Sequence, residues 1–238
     1  MVMNKKLAGA VGDRLTVALP EPRVELDHEN AWQLLIATIL SAQSTDKMIN
    51  QITPDIFARW PLPKDLAAAS QEDVEVVVKR SGFFRNKAKS IRETARIIAT
   101  EHGGEVPKDF KALLALPGVA RKTANLVMGS AFGINTGMIV DTHAARIGQK
   151  LGFTEEKKAP KVEKDLCAHF DQDEWTVMSH RLILFGRYVC TAKKPRCVQC
   201  PINELCPVRE AEPADDWEVR AERMGQAIAA REPLKADA

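Results

Sequence analysis

The sequence predicts an all-α protein, and three observations carry that prediction. Apolar residues recur at intervals of three and four along nearly the whole 238-residue chain. Tyr, Phe and Trp together make up only 5% of residues, few for a β-rich core. The one strand candidate, GMIV at 137–140, has no second run to pair with.

Taken in order, ENAWQLLIATILSAQ (29–43) is the first strongly periodic run. SQEDVEVVVKRSG (70–82) opens with Ser70 and Asp73 at capping-box spacing and stops at Gly82. Its three consecutive valines look strand-like, but the flanking charges fit a short helix better. RNKAKSIRETARIIATEHGG (85–104) is a helix ended by Gly103 and Gly104. PKDFKALLAL (107–116) and RKTANLVMGSAFG (121–133) are helices joined at Pro117–Gly118. DTHAARIGQKLG (141–152), APKVEKDLCAHF (159–170) and DEWTVMSHRLILFGRYVC (173–190) complete the set. Residues 207–238 change character, with eight acids against five Arg or Lys. Trp217, Ala221, Met224 and Ile228 fall on one helical face there, which predicts a last docked helix, and REPLKADA is expected to fray.

Hydrophobic content of 45% and charged content of 28% are ordinary for a soluble globular protein. The length suits one large domain or two small ones. A net charge of only +2 means that any polyanion must be held by local charge. No stretch approaches the roughly 20 apolar residues that span a bilayer. The opening MVMNKKLAGAVGDRL has no apolar core of signal-peptide length. The expectation is a cytoplasmic protein with no membrane association.

Four cysteines, Cys190, Cys197, Cys200 and Cys206, form a C-x6-C-x2-C-x5-C pattern in one short segment. Thiolates that close converge on a zinc ion, an iron–sulfur cluster or two disulfides. A reducing compartment favours metal over disulfide. From Trp175 to Ile202 there is no acid, while Arg181, Arg187, Lys193, Lys194 and Arg196 are all present. A pinned loop displaying such cations suits a polyanion. Cys167, in a helical run, is read as a small buried hydrophobe.

LLALPGVARKTANLV (113–127) is a helical hairpin with a tight turn at Gly118. The second helix begins with free backbone N–H groups, a seat for phosphate. Arg121 and Lys122 stand in that first turn, where cations oppose the helix dipole. A local rule broken this way marks a functional site, since a bound anion would offset the cost. A neutral lysine amine there is a nucleophile able to form a Schiff base. Asp141, in MIVDTHAARIG, follows an apolar run and begins a helix, as an N-cap does. Paired with Lys122, its carboxylate could stabilise a cationic sugar or move protons. His143 on the same turn is read as structural.

LPGVARKTANLV, then VDTH, then the four-cysteine pattern resemble the endonuclease III family of DNA base-excision repair enzymes, over about residues 30–207. LLIATILSAQSTD (34–46) and HGGEVPKDFKALLALPG are also similar to that family. The resemblance implies a helix-hairpin-helix glycosylase fold. A six-helix domain would cover 25–135, with the hairpin element at about 108–133. Residues 1–24 and 136–210 would form a cluster domain, 211–238 a C-terminal extension, and DNA would lie in a groove between the domains. Cys190, Cys197, Cys200 and Cys206 would ligate a 4Fe–4S cluster, a choice physics alone leaves open against zinc.

The implied activity is that of a bifunctional glycosylase/AP lyase on double-stranded DNA carrying a damaged pyrimidine, of the thymine glycol type, or an abasic site. Lys122 would attack the sugar C1′ of a flipped nucleotide, Asp141 would stabilise the developing charge, and β-elimination would cut the strand. Gln43 matches the residue that fills the gap left by the flipped base, and Phe83 stands where relatives place a leucine wedge. Gly118, Ala120 and Arg121 would meet the backbone at the hairpin, and Lys193, Lys194 and Arg196 at the cysteine loop. A single chain presenting a full groove is expected to act as a monomer. Two positions depart from the family pattern: Ala120 replaces a second hairpin glycine, and Leu114 replaces an acid. Rival readings are a non-catalytic DNA-binding iron–sulfur protein, a pyrimidine-dimer glycosylase, and a helical protein with structural zinc.

Overall fold

A computed structural model describes residues 5–234. It is helical throughout, and its backbone divides into two compact units, Val24–Thr136 and Met1–Arg23 with Gly137–Ala238.

The first unit holds α2 (Ala31–Ser41), α3 (Asp46–Arg59), α4 (Pro63–Ala68), α5 (Gln71–Val78), α6 (Phe84–Glu101), α7 (Phe110–Ala115) and α8 (Arg121–Phe132). Helix α2 is apolar nearly all round, as a central helix must be, and packs against α3, α6 and α8. Asn30 caps it by accepting from the Gln33 N–H. Helix α5 settles the strand-like valines. Val74 and Val78 are buried four residues apart and Val76 points outward at 71% exposure, a helical pattern. Ser70 caps it through the Asp73 N–H, as the spacing predicts. Helix α7 starts later than its apolar run suggests, because Asp109 takes the N-cap and accepts from the Ala112 N–H.

The second unit holds α1 (Lys5–Ala18), α9 (Thr142–Leu151), α10 (Ala159–His169), α11 (Trp175–Tyr188) and α12 (Trp217–Ala229), with the cysteine loop between α11 and α12. The strand candidate at 137–140 is buried but unpaired in a ladder. Its Ile139 N–H is satisfied instead by the Ser179 hydroxyl at 2.8 Å. Cys167 is partly buried against this unit's core. Helix α12 docks on α1 through Ala221, Met224 and Ile228. Leu234, inside the segment expected to fray, is instead buried and donates its N–H to Tyr188 O. Residues 235–238 of that tail lie outside the described residues. No helix among the described residues is long and apolar enough to cross a membrane.

Candidate functional site

The turn between α7 and α8 is fixed from beneath. Gly118 adopts φ +78°, and a Cβ there would meet Ile39 Cγ2 at 3.0 Å and Ser90 Cβ at 3.1 Å. Only glycine satisfies both the backbone and the space. Thr94 donates its hydroxyl to Pro117 O at 2.9 Å, and Val119 is buried. Ala120 is the N-cap of α8 in extended backbone, φ −95°, with no side-chain cap. That conformation suits any residue, so the alanine strains nothing here. Arg121 and Lys122 follow, both exposed, in a first turn that contains no acid. The Arg121 guanidinium lies 5.2 Å from the Phe110 ring centroid. Leu114, on α7, is 39% exposed.

Two other predicted residues of this unit share an unusual backbone. Gln43 has φ +53° and Phe83 φ +48°, and both side chains are exposed. Left-handed backbone costs a non-glycine residue on the order of 1 kcal/mol or more. Gln43 is the third residue of a turn closed by the Ser44 N–H donating to Ser41 O at 3.0 Å, with Ala42 at φ −54° and ψ 119°, a geometry that calls for positive φ at Gln43. Phe83 follows Gly82, itself at φ +72°, and precedes the first turn of α6. One turn along α6, the buried Lys87 donates its amine to Ser81 O at 2.7 Å. Burial holds the Lys87 amine below the ordinary lysine range.

In the second unit, Asp141 caps α9. Its Oδ1 accepts from the His143 and Ala144 N–H groups, both at 2.8 Å. Its Oδ2 lies 3.1 Å from His143 Nδ1, an arrangement that requires the hydrogen on that nitrogen. His143, read as structural, therefore also touches the carboxylate. Sequence reasoning missed His180. It is 7% exposed, and burial depresses its pKa to about 4 while the Asp141 charge pulls the other way.

Cys190, Cys197, Cys200 and Cys206 line one cavity with apolar walls that include Ile147, Phe185 and Ile202. None of the four is joined to another in a disulfide, which speaks against the disulfide alternative. Among the described residues, no three His, Cys, Asp or Glu side chains stand close enough to hold a single ion. Zinc would need its sulfurs each about 2.3 Å from one point. A four-iron cluster presents a separate iron to each cysteine, and four thiols around an apolar cavity fit it. Burial raises the thiol pKa of Cys190, Cys200 and Cys206, and for Cys190 the Lys150 and Arg146 cations act against it. Ligation would therefore expel protons.

The loop's backbone is tied down by residues that sequence reasoning did not single out. Arg146 of α9 donates to Cys190 O and, at 2.9 Å, to Gly186 O. Asn203 donates to Cys197 O at 2.7 Å, and Arg220 of α12 donates to Cys200 O. Of the loop's cations, Lys193 and Lys194 are exposed, and Arg196 is half-buried at the cavity wall. Arg181 corrects the picture of a displayed basic run. It is buried and donates to Leu19 O at 2.9 Å and Pro20 O at 3.1 Å.

With both units described, comparison with known proteins is decisive. Residues 36–170 match the HhH-GPD superfamily of base excision DNA repair proteins, and residues 190–206 match the iron–sulfur binding domain of endonuclease III. The chain belongs to that superfamily. Within it the similarity is to endonuclease III. The endonuclease III of Synechocystis sp. is 45% identical, over 89% of this chain and 96% of that one. Two solved structures, a non-covalent endonuclease III–DNA complex and a trapped endonuclease III–DNA covalent intermediate, are each 38% identical with TM-scores of 0.82. They cover 87% of this chain, and 96% and 97% of theirs. The chain is thus a base excision repair DNA glycosylase/AP lyase with a 4Fe–4S cluster on its cysteine loop.

Proposed function

We propose that this enzyme removes oxidised, ring-saturated pyrimidines from duplex DNA, with Lys122 as nucleophile and Asp141 as stabiliser of the cationic sugar. The observation that carries the assignment is Lys122 itself, an exposed amine in the first turn of α8 with no acid in that turn. The substrate class rests on the likeness to endonuclease III.

The damaged nucleotide leaves the stack. Lys122 Nζ bonds to C1′ as the glycosidic bond breaks, and the bonding pair departs with the base, which takes up a proton. The new C1′ ammonium loses one proton, and O4′ takes up a proton as the sugar ring opens, which leaves a protonated imine at C1′. Loss of a C2′ proton then expels the 3′ phosphate, and water releases the amine. The Asp141 carboxylate, already held by two backbone N–H groups, offers negative charge to the cation developing on the sugar.

Gln43 and Phe83 are proposed to enter the gap left by the extruded nucleotide. Their left-handed backbones support this, since strain at exposed non-glycine residues marks function. Gly118, Ala120 and Arg121 would seat one phosphate at the start of α8. Lys193, Lys194 and Arg196 would meet others. The protein is proposed to work as a monomer in the cytoplasm, on nucleoid DNA.

Borohydride trapping tests the reading, with duplexes carrying thymine glycol, an abasic site or a pyrimidine dimer. A covalent adduct on the first two, lost in Lys122→Gln, is expected. An adduct on the dimer duplex but not on thymine glycol would move the substrate class. No adduct on any duplex, from folded protein that binds DNA, would overturn the catalytic assignment.

A further inference from the structure

We propose that α12 is a clasp on the iron–sulfur loop, with Arg220 as the positioning residue that keeps the cluster seated. The inference rests on the four cysteines holding the cluster, and it is independent of the reaction at Lys122.

Helix α12 lies beyond both family matches, which end at residues 170 and 206. Its Arg220 is 0% exposed, an unusual place for a guanidinium. A buried cation persists only where its donors are used. Here Nη1 donates to Cys200 O, Nη2 pairs with Glu204, and Nε points to Asp216 O at 3.4 Å. Cys200 is the most deeply buried of the four cysteines, and Glu204 sits between it and Cys206. One side chain thus grips the centre of the loop by its backbone and by its acid.

The grip is shared with the other end of the chain. Arg14 of α1 donates to Glu204 at 2.6 Å and to Pro201 O at 2.9 Å, and its guanidinium lies 4.9 Å from the Trp217 ring centroid. Arg223, one turn along α12, reaches Gln199 Oε1 at 2.9 Å. Gly225 lets the two helices close, because a Cβ there would stand 2.7 Å from Ala18 O. Two arginines facing one glutamate leave a net positive charge against the loop. Four thiolates outweigh the charge of a cluster core, so the loaded loop is anionic and the excess cation complements it.

Cluster loss begins with local opening of the loop, when one cysteine leaves its iron. Fixing the Cys200 carbonyl opposes that step. The test follows bleaching near 400 nm of the full-length holoprotein with an iron chelator, well below its unfolding temperature, with helix content monitored alongside. Arg220→Gln is expected to bleach about tenfold faster with helix content unchanged, the effect of one charge-assisted hydrogen bond. Arg220→Lys should recover part of the loss, and Arg223→Ala should accelerate bleaching by roughly two- to threefold. Folded Arg220→Gln that bleaches at the wild-type rate overturns the clasp. Where Arg220→Gln yields no folded protein, Arg223→Ala and Gly225→Ala decide, and wild-type rates in both overturn it. Wild-type protein without iron, purified anaerobically, overturns the cluster reading and the clasp with it.

Discussion

The turn before α8 and the cysteine loop are both short, irregular and chemically loaded, yet they are held in opposite ways. The turn is fixed by contacts beneath it: Gly118 on Ile39 and Ser90, Thr94 on Pro117 O, and Val119 in the core. Its cations, Arg121 and Lys122, stand at the surface. The cysteine loop keeps its own Lys193 and Lys194 exposed but is gripped by side-chain donors turned in on its backbone. Arg146, Asn203 and Arg220 each hold the carbonyl of a different cysteine. A seat for a visiting anion, the role proposed for the turn, would keep its donors at the surface. A seat for a resident cofactor spends its donors on the backbone that must not move.

Four experiments would break or sharpen that contrast. The largest effect is expected from Lys122→Gln. Single-turnover strand cutting should fall about 10⁴-fold or more, while DNA affinity changes only a few-fold. Retained cutting would mean that the surface cation at the turn is not the reagent.

Acid should strike the cysteine-bearing unit next. His180 has a folded pKa near 4 against about 6.5 unfolded, so the unfolded chain binds more protons between those values. Its contribution is complete above pH 6.5 and lost as pH falls towards 4, on the order of 3 kcal/mol. Glu204 adds to the loss at lower pH. Burial works against its ionised form, but backbone N–H, Arg14 and Arg220 outweigh that and hold its pKa below the usual range. Urea titrations at pH 7 and pH 5 should separate from those of His180→Phe, whose stability would show a flatter pH dependence. Equal slopes would remove His180 as the cause.

Gly118→Ala should then destabilise the protein by about 2 kcal/mol in urea melts, from the combined backbone strain and contact with Ile39. Smallest is Arg196→Ala. The slope of log Kd against log salt should drop by about 1, equally for all DNA sequences. A sequence-dependent change would argue against phosphate contact.

Much of this was legible before any coordinates. Helical spacing pointed to the class, and the cysteine pattern marked the iron–sulfur segment. What stayed hidden has physical reasons. An arginine on a helix reads as a solvated face, so Arg146 and Arg220 gave no signal of inward use. Arg220 did lie on the stripe of Trp217, Met224 and Ile228, and a cation on an apolar stripe was the available clue. Arg181 failed in the opposite sense, since a basic run in sequence says nothing about which members are buried. Gln43 and Phe83 were picked out by likeness. Their left-handed backbones could not be, because neither residue type favours that region.

The bond between Arg14 and Glu204 joins residues 190 positions apart. The unit that contains it is made of two separate stretches of chain, with Val24–Thr136 between them in sequence. During synthesis Val24–Thr136 is complete while α12 is still to be translated. Domains fold as they become available, and contacts of long sequence separation form last. The hairpin unit therefore has time to fold while the cysteine loop, already made, still awaits the helix whose Arg220 grips it.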